Sequence, residues 1–379
     1  MFSNGGERRT LSLWARDLNA NAKTVSRLVL VAPLDDPRHA MPSDTAPIDP
    51  RVEVVAADGL TDETLRALAA AADVVEVPGN FPWRASTLAR RALRAARAAG
   101  ALCVVGVSSN RARTTVMNAR GRGVLRRAKA HATAASIRAA QSDLARRADA
   151  VRIVGEGLRP LVAPHARAIY VDTASWIRRD DIQPPRTGQN EPARLLVASR
   201  LEPMKGVGNG VRAAAALTRA GVPVTLGIAG VGEEEAALRA LAAAEGIAEL
   251  TTFLGQLAFP GPFYELVRTV DYVLLTNLND EQPRLIFDAI AQGAVPVCPR
   301  NDACLSLGLD ARVLYERGSA ADLAETVRRL ITLPEAERAD LRARLCSIAE
   351  TRTLETMHET RRAWTQAQLA ARRTEGASG

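Results

Sequence analysis

The fold class is decided by the segment LLVASRLEPMKGVGNGVRAAAALTRAG, residues 195–221. Its first residues are apolar or small and end at Ser199, as expected for a short buried strand. After a polar loop, apolar residues recur at intervals of three and four up to Gly221, which indicates an amphipathic helix. A strand followed at once by a helix is half of a β-α-β unit. This stretch therefore predicts an α/β fold with a parallel sheet.

The same alternation continues on both sides of this segment and divides the chain into two similar α/β halves. In the second half we predict strands at 195–199, 222–229, 251–254, 272–276 and 295–298, and helices at 207–221, 233–246, 263–270 and 283–292. In the first half we predict strands at 27–33, 52–56, 73–77, 101–107, 150–154 and 168–171, and helices at 84–99 and 123–147. Each half is therefore expected to hold its own parallel sheet.

Polar segments mark the boundaries of these halves. Residues 177–194 contain proline and many polar residues and lack periodicity, which indicates a linker. We therefore predict a first domain at 1–185, a second domain at 186–352, and a final helix with its tail at 353–379. Residues 1–9 are too polar for a buried central strand, so the first strand of the first domain is expected to be missing or truncated.

The composition excludes several classes of protein. Of the 379 residues, 47% are hydrophobic and 24% are charged, which is typical of globular domains and not of a disordered chain. No apolar stretch reaches the roughly 18 residues that a membrane-spanning helix needs, and charged residues interrupt the apolar segments of residues 1–30. The four cysteines form no C-x-x-C pair, so we predict no metal site and a location in the reducing cytoplasm.

Basic charge is concentrated in residues 84–147, which hold 15 Lys and Arg residues and one acidic residue, Asp143. Such a region attracts phosphate groups, nucleic acid or the anionic surface of a membrane, or it simply forms solvated helix faces. It lacks the aromatic residues on which single-stranded nucleic acid stacks, so nucleic acid is not an expected partner. Among the interactions, a peripheral contact with an anionic membrane is the one we favour.

The loop SRLEPMKG, residues 199–206, carries two cations, Arg200 and Lys205, just after a predicted strand. Because open α/β sheets bind ligands at the carboxyl ends of their strands, both side chains can converge on one anion. A forked guanidinium and a compact ammonium suit a diphosphate, and two surface cations are the alternative. The next turn contains Gly230 and Gly232 but no third glycine, and three acidic residues follow. We therefore interpret it as a structural turn beside the ligand.

A third segment, NDEQPRLIFDAIAQG at 279–293, predicts a helix with a polar start. Pro283 suits the first helical turn, and Gly293 suits the end of the helix. The N–H groups at the start of such a helix are unsatisfied, so they form an anion site to which a basic side chain adds charge. The residues concerned are Arg284, Leu285 and Ile286.

Two carboxylates belong to the same segment. Asp288 lies among apolar residues within the predicted helix, so its carboxylate is expected to accept hydrogen bonds from a partner. Ribose hydroxyls are natural donors, as they are for the acidic residue of a dinucleotide fold. A solvent-facing helix residue is the alternative. Asp280 lies in the loop before the helix, where its alternative role is a charge near the helix N-terminus.

In their order and spacing, these motifs resemble the donor domain of glycosyltransferase family 4, whose members are retaining enzymes of the GT-B fold. The family pattern is G-R-L-x-x-x-K-G, a G-x-G turn, F-L-G, and E-x7-E followed by A-x-A-x-G-x-P-V. The resemblance extends over roughly residues 194–300. The matching residues are Arg200-Leu201 with Lys205-Gly206, Gly230-Val231-Gly232, Phe253-Leu254-Gly255, Asp280 with Asp288, and AIAQGAVPV at 289–297.

The resemblance implies that Arg200 and Lys205 neutralise the donor diphosphate and stabilise the leaving nucleotide. It implies that Asp280 contacts hydroxyls of the donor sugar, as the third catalytic residue, and that Asp288 binds the ribose. Both positions are glutamate in the family, so each carboxylate reaches about 1.5 Å less far here. Gln282 also stands where the family usually has an aromatic residue. The other residues expected at the donor site are Gly230, Gln256, Leu257, Arg284, Leu285 and Ile286.

The first half resembles the family less closely. Family members often carry a histidine at the cleft, but none follows the strands predicted at 73–77 and 101–107. Polar residues at the ends of these two strands are expected to line the acceptor side of the cleft instead: Glu76, Asn80, Ser108 and Asn110. The histidines are interpreted as structural or surface residues: His39, His131, His165 and His358. A helix at 354–373 is expected to cross back onto the first domain, with three packing anchors: Met357, Trp364 and Leu369.

The resemblance therefore implies two Rossmann-like, doubly wound domains that face a central cleft. It implies a hexosyltransferase-like enzyme that moves a sugar with retention from a nucleotide-diphosphate donor, a UDP- or GDP-sugar, to an acceptor hydroxyl. The acceptor is expected to be a glycan or a lipid-linked molecule of cell-surface polysaccharide or glycoconjugate synthesis, at the inner face of the membrane. We expect no cofactor. The alternative is a catalytically degenerate GT-B protein that binds nucleotide or glycan without turnover.

Overall fold

The computed structural model describes residues 1–4, 7–34, 45–121 and 123–377, and His39 lies outside the described residues. The elements of the first half are β1 (Phe2–Asn4), β2 (Glu7–Leu11), α1 (Ser12–Asn21), β3 (Leu28–Ala32), β4 (Thr45–Pro47), β5 (Val52–Ala56), α2 (Asp62–Ala70), β6 (Val74–Pro78), α3 (Thr87–Ala98), β7 (Leu102–Val107), α4 (Arg111–Met117), α5 (Val124–Arg147), β8 (Ala150–Val154), α6 (Arg159–Val162) and β9 (Ile169–Asp172).

The elements that follow are β10 (Ala193–Ala198), α7 (Val207–Arg219), β11 (Val224–Ala229), α8 (Glu235–Ala244), β12 (Thr251–Gly255), α9 (Gly261–Thr269), β13 (Tyr272–Leu274), α10 (Leu285–Ala291), β14 (Val295–Pro299), α11 (Asp302–Leu305), β15 (Leu314–Tyr315), α12 (Ala320–Ile331), α13 (Glu335–Glu350) and α14 (Leu354–Ala377).

The second half is built on a six-stranded parallel sheet in the order β12-β11-β10-β13-β14-β15. β10 pairs with β11 on one side and with β13 on the other, so the chain reverses its direction of progress across the sheet at β10. Leu196, Tyr272 and Phe287 are fully buried in its core. This confirms the predicted doubly wound sheet. Its loops after β10 and β13 form the switch point, where such sheets bind ligands.

The first half contains a four-stranded parallel sheet, β6-β7-β8-β9, and a separate parallel pair, β3 with β5. Val105 and Ile153 of the larger sheet pack with Leu93 of α3 and Leu144 of α5 in one buried cluster. The predicted α/β architecture of this half is therefore confirmed as well. Of the four polar residues predicted for the acceptor side, Asn80, Ser108 and Asn110 follow the ends of β6 and β7, whereas Glu76 lies inside β6.

The polar residues before α1 form two short strands at the edge of the molecule. β1 pairs antiparallel with β2, and β2 pairs antiparallel with β4, so these strands form a small sheet apart from the parallel ones. Polar strands are stable here because one face of an antiparallel sheet can meet water. Accordingly Glu7 and Leu11, at the two ends of β2, are exposed. The segment was predicted to be too polar for a buried central strand. The structure agrees, because the segment forms part of a small sheet at the surface.

The final helix, α14, crosses back to the first half, as predicted. Trp364 stacks on Tyr170 of β9 with ring centroids 4.8 Å apart. Arg361 donates to the Asp172 carboxylate at the end of the same strand at 2.6 Å. Met357 is buried. The helix therefore fastens the end of the chain to the first half by an aromatic stack and an ion pair.

In the part of the chain that the structure describes, no helix combines the length and the apolar character needed to cross a bilayer. The same described residues contain no group of three or more histidine, cysteine, aspartate or glutamate side chains arranged to hold a metal ion. All four cysteines are free and buried.

Candidate functional site

The loop after β10 lies at the switch point of the second sheet and is fixed there by backbone hydrogen bonds. The N–H of Ser199 donates to the carbonyl of Ala229 in the neighbouring strand β11. On the other side, the hydroxyl of Thr276, just after β13, donates to the carbonyl of Lys205 at 2.7 Å. The loop is therefore held between the ends of two strands. Its cations stand where an open α/β sheet presents a ligand site.

The two predicted cations of this loop have different surroundings. The Arg200 side chain is two-thirds exposed and pairs with the Glu202 carboxylate. Among the described residues, no carboxylate comes within ion-pair distance of the Lys205 ammonium. Burial lowers the pKa of Lys205 below its ordinary value, although the charge of nearby Glu281 opposes this. The site thus holds one solvated guanidinium and one partly buried lysine whose ammonium has no carboxylate partner among the described residues.

Gly230 fixes the neighbouring turn against this loop. Its backbone has φ of +130°, a conformation that other residues rarely adopt, and a Cβ atom here would overlap the carbonyl oxygen of Ser199. Its N–H donates to the carbonyl of Gly255, at the end of β12, at 2.7 Å. A glycine is needed here because three loops pack too closely for a side chain. Gln256 and Leu257 follow directly on the third loop, with Gln256 exposed.

Asp280 lies in the loop after β13 and is bound by two guanidiniums from opposite halves of the molecule. Arg113 of α4 donates to one carboxylate oxygen, and Arg317, after β15, donates to the other. The adjacent residue Glu281 accepts a hydrogen bond from the backbone N–H of Asn110 at 3.0 Å. The predicted catalytic carboxylate is therefore at the interface between the two halves, held by Arg113 of the first half and Arg317 of the second.

Asp288 is fully buried within α10. Tyr264 donates to one of its carboxylate oxygens at 3.2 Å, and the Arg284 guanidinium lies 3.4 Å from the other. Burial raises the pKa of Asp288 above its ordinary value, and the charge of Arg284 opposes this. In this arrangement the carboxylate is satisfied by protein groups. Each oxygen keeps a second acceptor position, but a ribose hydroxyl would have to reach a fully buried carboxylate.

Arg284 is held in place by two aromatic rings. Its guanidinium lies 5.2 Å from the ring centre of Trp176, just before the linker, and 5.5 Å from that of Phe259 after β12. Cation–π contacts of this kind orient a guanidinium while leaving N–H groups free to donate. Sequence reasoning missed both rings. The only available signal was that a chain with so few aromatics places one immediately before the linker and one just beyond the F-L-G motif.

The start of α10 offers fewer backbone donors than the sequence predicts. The N–H of Ile286 donates to the carbonyl of Pro283 at 3.3 Å in a tight turn, so it is not directed at solvent. The helix begins at Leu285 and has seven residues. Of the three predicted amides, those of Arg284 and Leu285 stay the candidates for an anion.

The four acceptor-side residues divide into two groups. Asn110 caps α4 and contacts the second half, and the side chains of Asn80 and Ser108 are hydrogen bonded to each other at 2.9 Å. Glu76 instead pairs with Arg152. Burial raises the pKa of Glu76, but the Arg152 guanidinium outweighs this and holds the pKa below its ordinary value.

Arg152 also bonds to Asp172, which α14 contacts. Glu76 is therefore part of an ion network that links β6, β8, β9 and the crossing helix. His358 of α14 is buried and lies 3.0 Å from Asp17 of α1, which agrees with a structural role for this histidine.

Comparison with known proteins shows that the second half is similar to a sequence family. Residues 179–348 match the family model described as "Glycosyl transferases group 1". This segment is less than half of the chain, and it contains all the motifs from Arg200 to Asp288. The match does not distinguish family 4, which stays a prediction. No curated protein matches the chain.

Solved structures extend the likeness to nearly the whole chain. HepE from Anabaena, in complex with UDP, aligns with a TM-score of 0.66 at 15% identity, covering 94% of this chain and 96% of that one. Sucrose-phosphate synthase from Thermosynechococcus elongatus aligns with a TM-score of 0.66 at 13% identity, covering 94% and 92%. WaaG, a glycosyltransferase of lipopolysaccharide biosynthesis, aligns at 0.62 with 14% identity, covering 92% and 94%. At these identities the likeness shows the fold, which is GT-B.

Proposed function

We propose that the protein transfers a sugar, with retention, from a nucleotide-diphosphate donor to a hydroxyl group of an acceptor. The observation that carries this proposal is the Lys205 ammonium, which is partly buried and has no carboxylate partner among the described residues, beside Arg200 at the switch point. Partial burial disfavours the charged form of this lysine, and a ligand with negative charge would stabilise it. A diphosphate supplies that charge, and residues 179–348 match a family of glycosyl transferases.

The chemistry assigned to the site is electrostatic. The bond between the sugar C1 and the diphosphate oxygen breaks, and a bond from C1 to the acceptor oxygen forms on the same face. The departing diphosphate accepts the acceptor's proton, so no histidine is needed. Arg200 and Lys205 stabilise the charge that develops on the leaving group, while Asp280 holds sugar hydroxyls. We assign donor binding to residues 186–352 and acceptor binding to residues 1–185.

The nucleotide is proposed as UDP or GDP. HepE has been crystallised with UDP, with UDP and glucose, and with UDP-glucose, which makes UDP the first nucleotide to test. For the acceptor we propose a glycan or a lipid-linked molecule.

Thermal unfolding with nucleotides tests this proposal. UDP, GDP, ADP and TDP are added in turn, with the matching nucleosides as controls that lack phosphate. A ligand at 100 times its Kd stabilises the protein by about 2.7 kcal/mol, and at roughly 2–4 °C per kcal/mol this raises the Tm by about 5–11 °C. We expect one diphosphate to raise the Tm and its nucleoside not to. Equal shifts with the nucleoside, or none with any nucleotide, would contradict a diphosphate site.

A non-catalytic binding protein is the second candidate. One observation favours it: Asp288, which was expected to bind the ribose, is fully buried and already contacts Tyr264 and Arg284. Release of nucleotide from the donor that binds best separates the two candidates. Turnover with any acceptor, or with water, supports the enzyme, and tight binding without turnover supports the binding protein.

We also propose that the basic region 84–147 contacts an anionic membrane. Residues 123–129, at the start of α5, are all exposed, and Val124 and Leu125 have exposed fractions of 80% and 87%. Basic side chains follow these two apolar residues directly: Arg126, Arg127 and Lys129. Two exposed apolar residues followed by basic ones suit insertion between anionic headgroups. Each Lys or Arg near the surface adds about 1 kcal/mol to the free energy of membrane binding.

Co-sedimentation with vesicles tests this contact. We expect binding to vesicles of phosphatidylglycerol and phosphatidylcholine but not to phosphatidylcholine alone. Burying one Val or Leu side chain stabilises by about 1.5–3 kcal/mol, so the Val124→Ser/Leu125→Ser variant should bind at least about tenfold more weakly. Leu305→Ser, at an exposed leucine of the second half, is the matched control. Equal binding to both kinds of vesicle, or unchanged binding of the double variant, would exclude this surface as the membrane contact.

A further inference from the structure

Helix α4 of the first half touches two separate segments of the donor site in the second half. At its beginning, Arg113 donates to the Asp280 carboxylate, and the backbone N–H of Asn110 donates to Glu281 at 3.0 Å. The Thr114 hydroxyl lies 3.5 Å from the same Glu281 oxygen. These contacts join positions about 170 residues apart in the sequence. The start of α4 therefore holds the loop that carries the expected sugar-binding carboxylate.

The other end of α4 holds the cationic loop. The side-chain oxygen of Asn118 accepts a hydrogen bond from the N–H of Met204 at 3.2 Å. Its side-chain N–H donates to one carboxylate oxygen of Glu202 at 3.0 Å. The other oxygen of Glu202 binds the Arg200 guanidinium. Asn118 is thus linked to Arg200 through a single carboxylate, and it also fixes the backbone one residue before Lys205.

The geometry points to Arg113 and Asn118 as positioning residues of the transfer reaction, an inference that rests on the proposed function. Arg113 orients the Asp280 carboxylate, with Arg317 of the second half holding the opposite oxygen. A carboxylate offers about four acceptor positions, so each oxygen keeps one for a sugar hydroxyl. Asn118 orients the loop that binds the diphosphate. One helix of the acceptor-side half therefore aligns both parts of the donor site.

Because the two residues position different parts of the site, their variants should differ: one should lower kcat and the other should weaken nucleotide binding. Arg113→Gln should lower kcat about 100-fold, because a misplaced contact on the sugar costs that much, and it should leave the Kd for UDP or GDP unchanged since neither contains the donor sugar. Asn118→Ala should weaken UDP or GDP binding about tenfold, because Arg200 and the Lys205 loop lose their support. Isothermal titration with the nucleotide that raises the Tm, and steady-state rates with its glucose or mannose conjugate, measure both.

Matched variants separate positioning from a general loss of contact between the halves. Arg111→Gln changes the same residue type on the same helix, but Arg111 lies over Phe81 at 5.1 Å and should behave like the unmodified protein. Arg113→Lys keeps the charge and should recover part of the rate. Because Arg113 acts through Asp280, the Arg113→Gln/Asp280→Asn double variant should be no slower than Asp280→Asn alone.

The outcomes distinguish the two proposals. If the unmodified protein binds no nucleotide diphosphate, the proposed function fails and this inference fails with it. If it binds and transfers normally but Arg113→Gln matches Arg111→Gln, only the positioning role is overturned. If Arg113→Gln and Asn118→Ala weaken nucleotide binding and kcat to the same degree, α4 merely joins the halves and the inference is overturned too.

Discussion

Replacing Lys205 with methionine is expected to lower the rate of sugar transfer by about 10²–10³-fold, the loss typical of one electrostatic donor at a site of developing charge. Methionine keeps an unbranched apolar stem but removes the ammonium. Arg200, the neighbouring cation of the loop, is two-thirds exposed and paired with Glu202, so it is not expected to replace the lysine. The measurement is kcat with the sugar conjugate of whichever nucleotide raises the Tm.

The same variant should not lose stability when no nucleotide is present. Burial lowers the pKa of Lys205, which means that the folded protein disfavours the charged side chain at neutral pH. Removing that charge is therefore neutral or stabilising, as is common for residues kept for function. Urea unfolding of Lys205→Met without ligand provides this control. A variant that unfolds more easily, or that keeps more than a tenth of the rate, would contradict the role given to the lysine.

The second half could be predicted in detail because its signals are local. The strand at β10, the cationic loop and helix α7 follow one another within residues 193–219, and each is defined by its own spacing. Prediction placed the strand at 195–199, and the structure places it at Ala193–Ala198. The short strand β15 was missed, since Leu314–Tyr315 is too brief to show a pattern.

The surroundings of the site residues could not be predicted, because the partners come from distant parts of the chain. Asp280 was identified by its place in a motif, but nothing near it in sequence indicates Arg113 or Arg317. The role expected for Asp288 was ribose binding, and no pattern pointed to its bond with Tyr264. A motif indicates which residue type is needed at a position. The contacts of that residue depend on how the two halves pack, which the local sequence does not show.

Glu76 illustrates the same limit in the first half. Its place near the end of a strand indicated the cleft, because such strand ends meet at one edge of a sheet. The structure pairs it with Arg152, two strands away, across Gly106 of β7, where a Cβ atom would lie 2.8 Å from the Glu76 carboxylate. Only the strand order β6-β7-β8 brings these residues together. That order follows from the fold and not from the spacing of the residues.

Replacing Asp271 with alanine is expected to destabilise the second half by about 3–5 kcal/mol, the loss typical of a buried charge deprived of its partner. Asp271 is fully buried just before β13. Its carboxylate accepts hydrogen bonds from the backbone N–H of Arg194 at 2.9 Å and from the side chain of Asn190 at 2.9 Å. The buried Arg342 guanidinium lies 3.9 Å away and would lose its counterion.

The Asp271→Ala substitution should lower the stability of the protein and leave the rate of the reaction nearly unchanged. Asp271 joins the linker and α13 to the amino-terminal edge of the sheet, whereas Lys205 stands at the carboxyl edge. Urea unfolding measures the loss in the free energy of unfolding for Asp271→Ala. The control is Glu245→Ala, which breaks an exposed ion pair with Arg219 and should lower the free energy of unfolding by less than about 1 kcal/mol. Below its unfolding transition, Asp271→Ala should keep kcat within about twofold of the unmodified protein, since open α/β sheets bind ligands at the opposite, carboxyl edge. A folded Asp271→Ala that no longer binds nucleotide would place the donor site at the wrong end of the sheet.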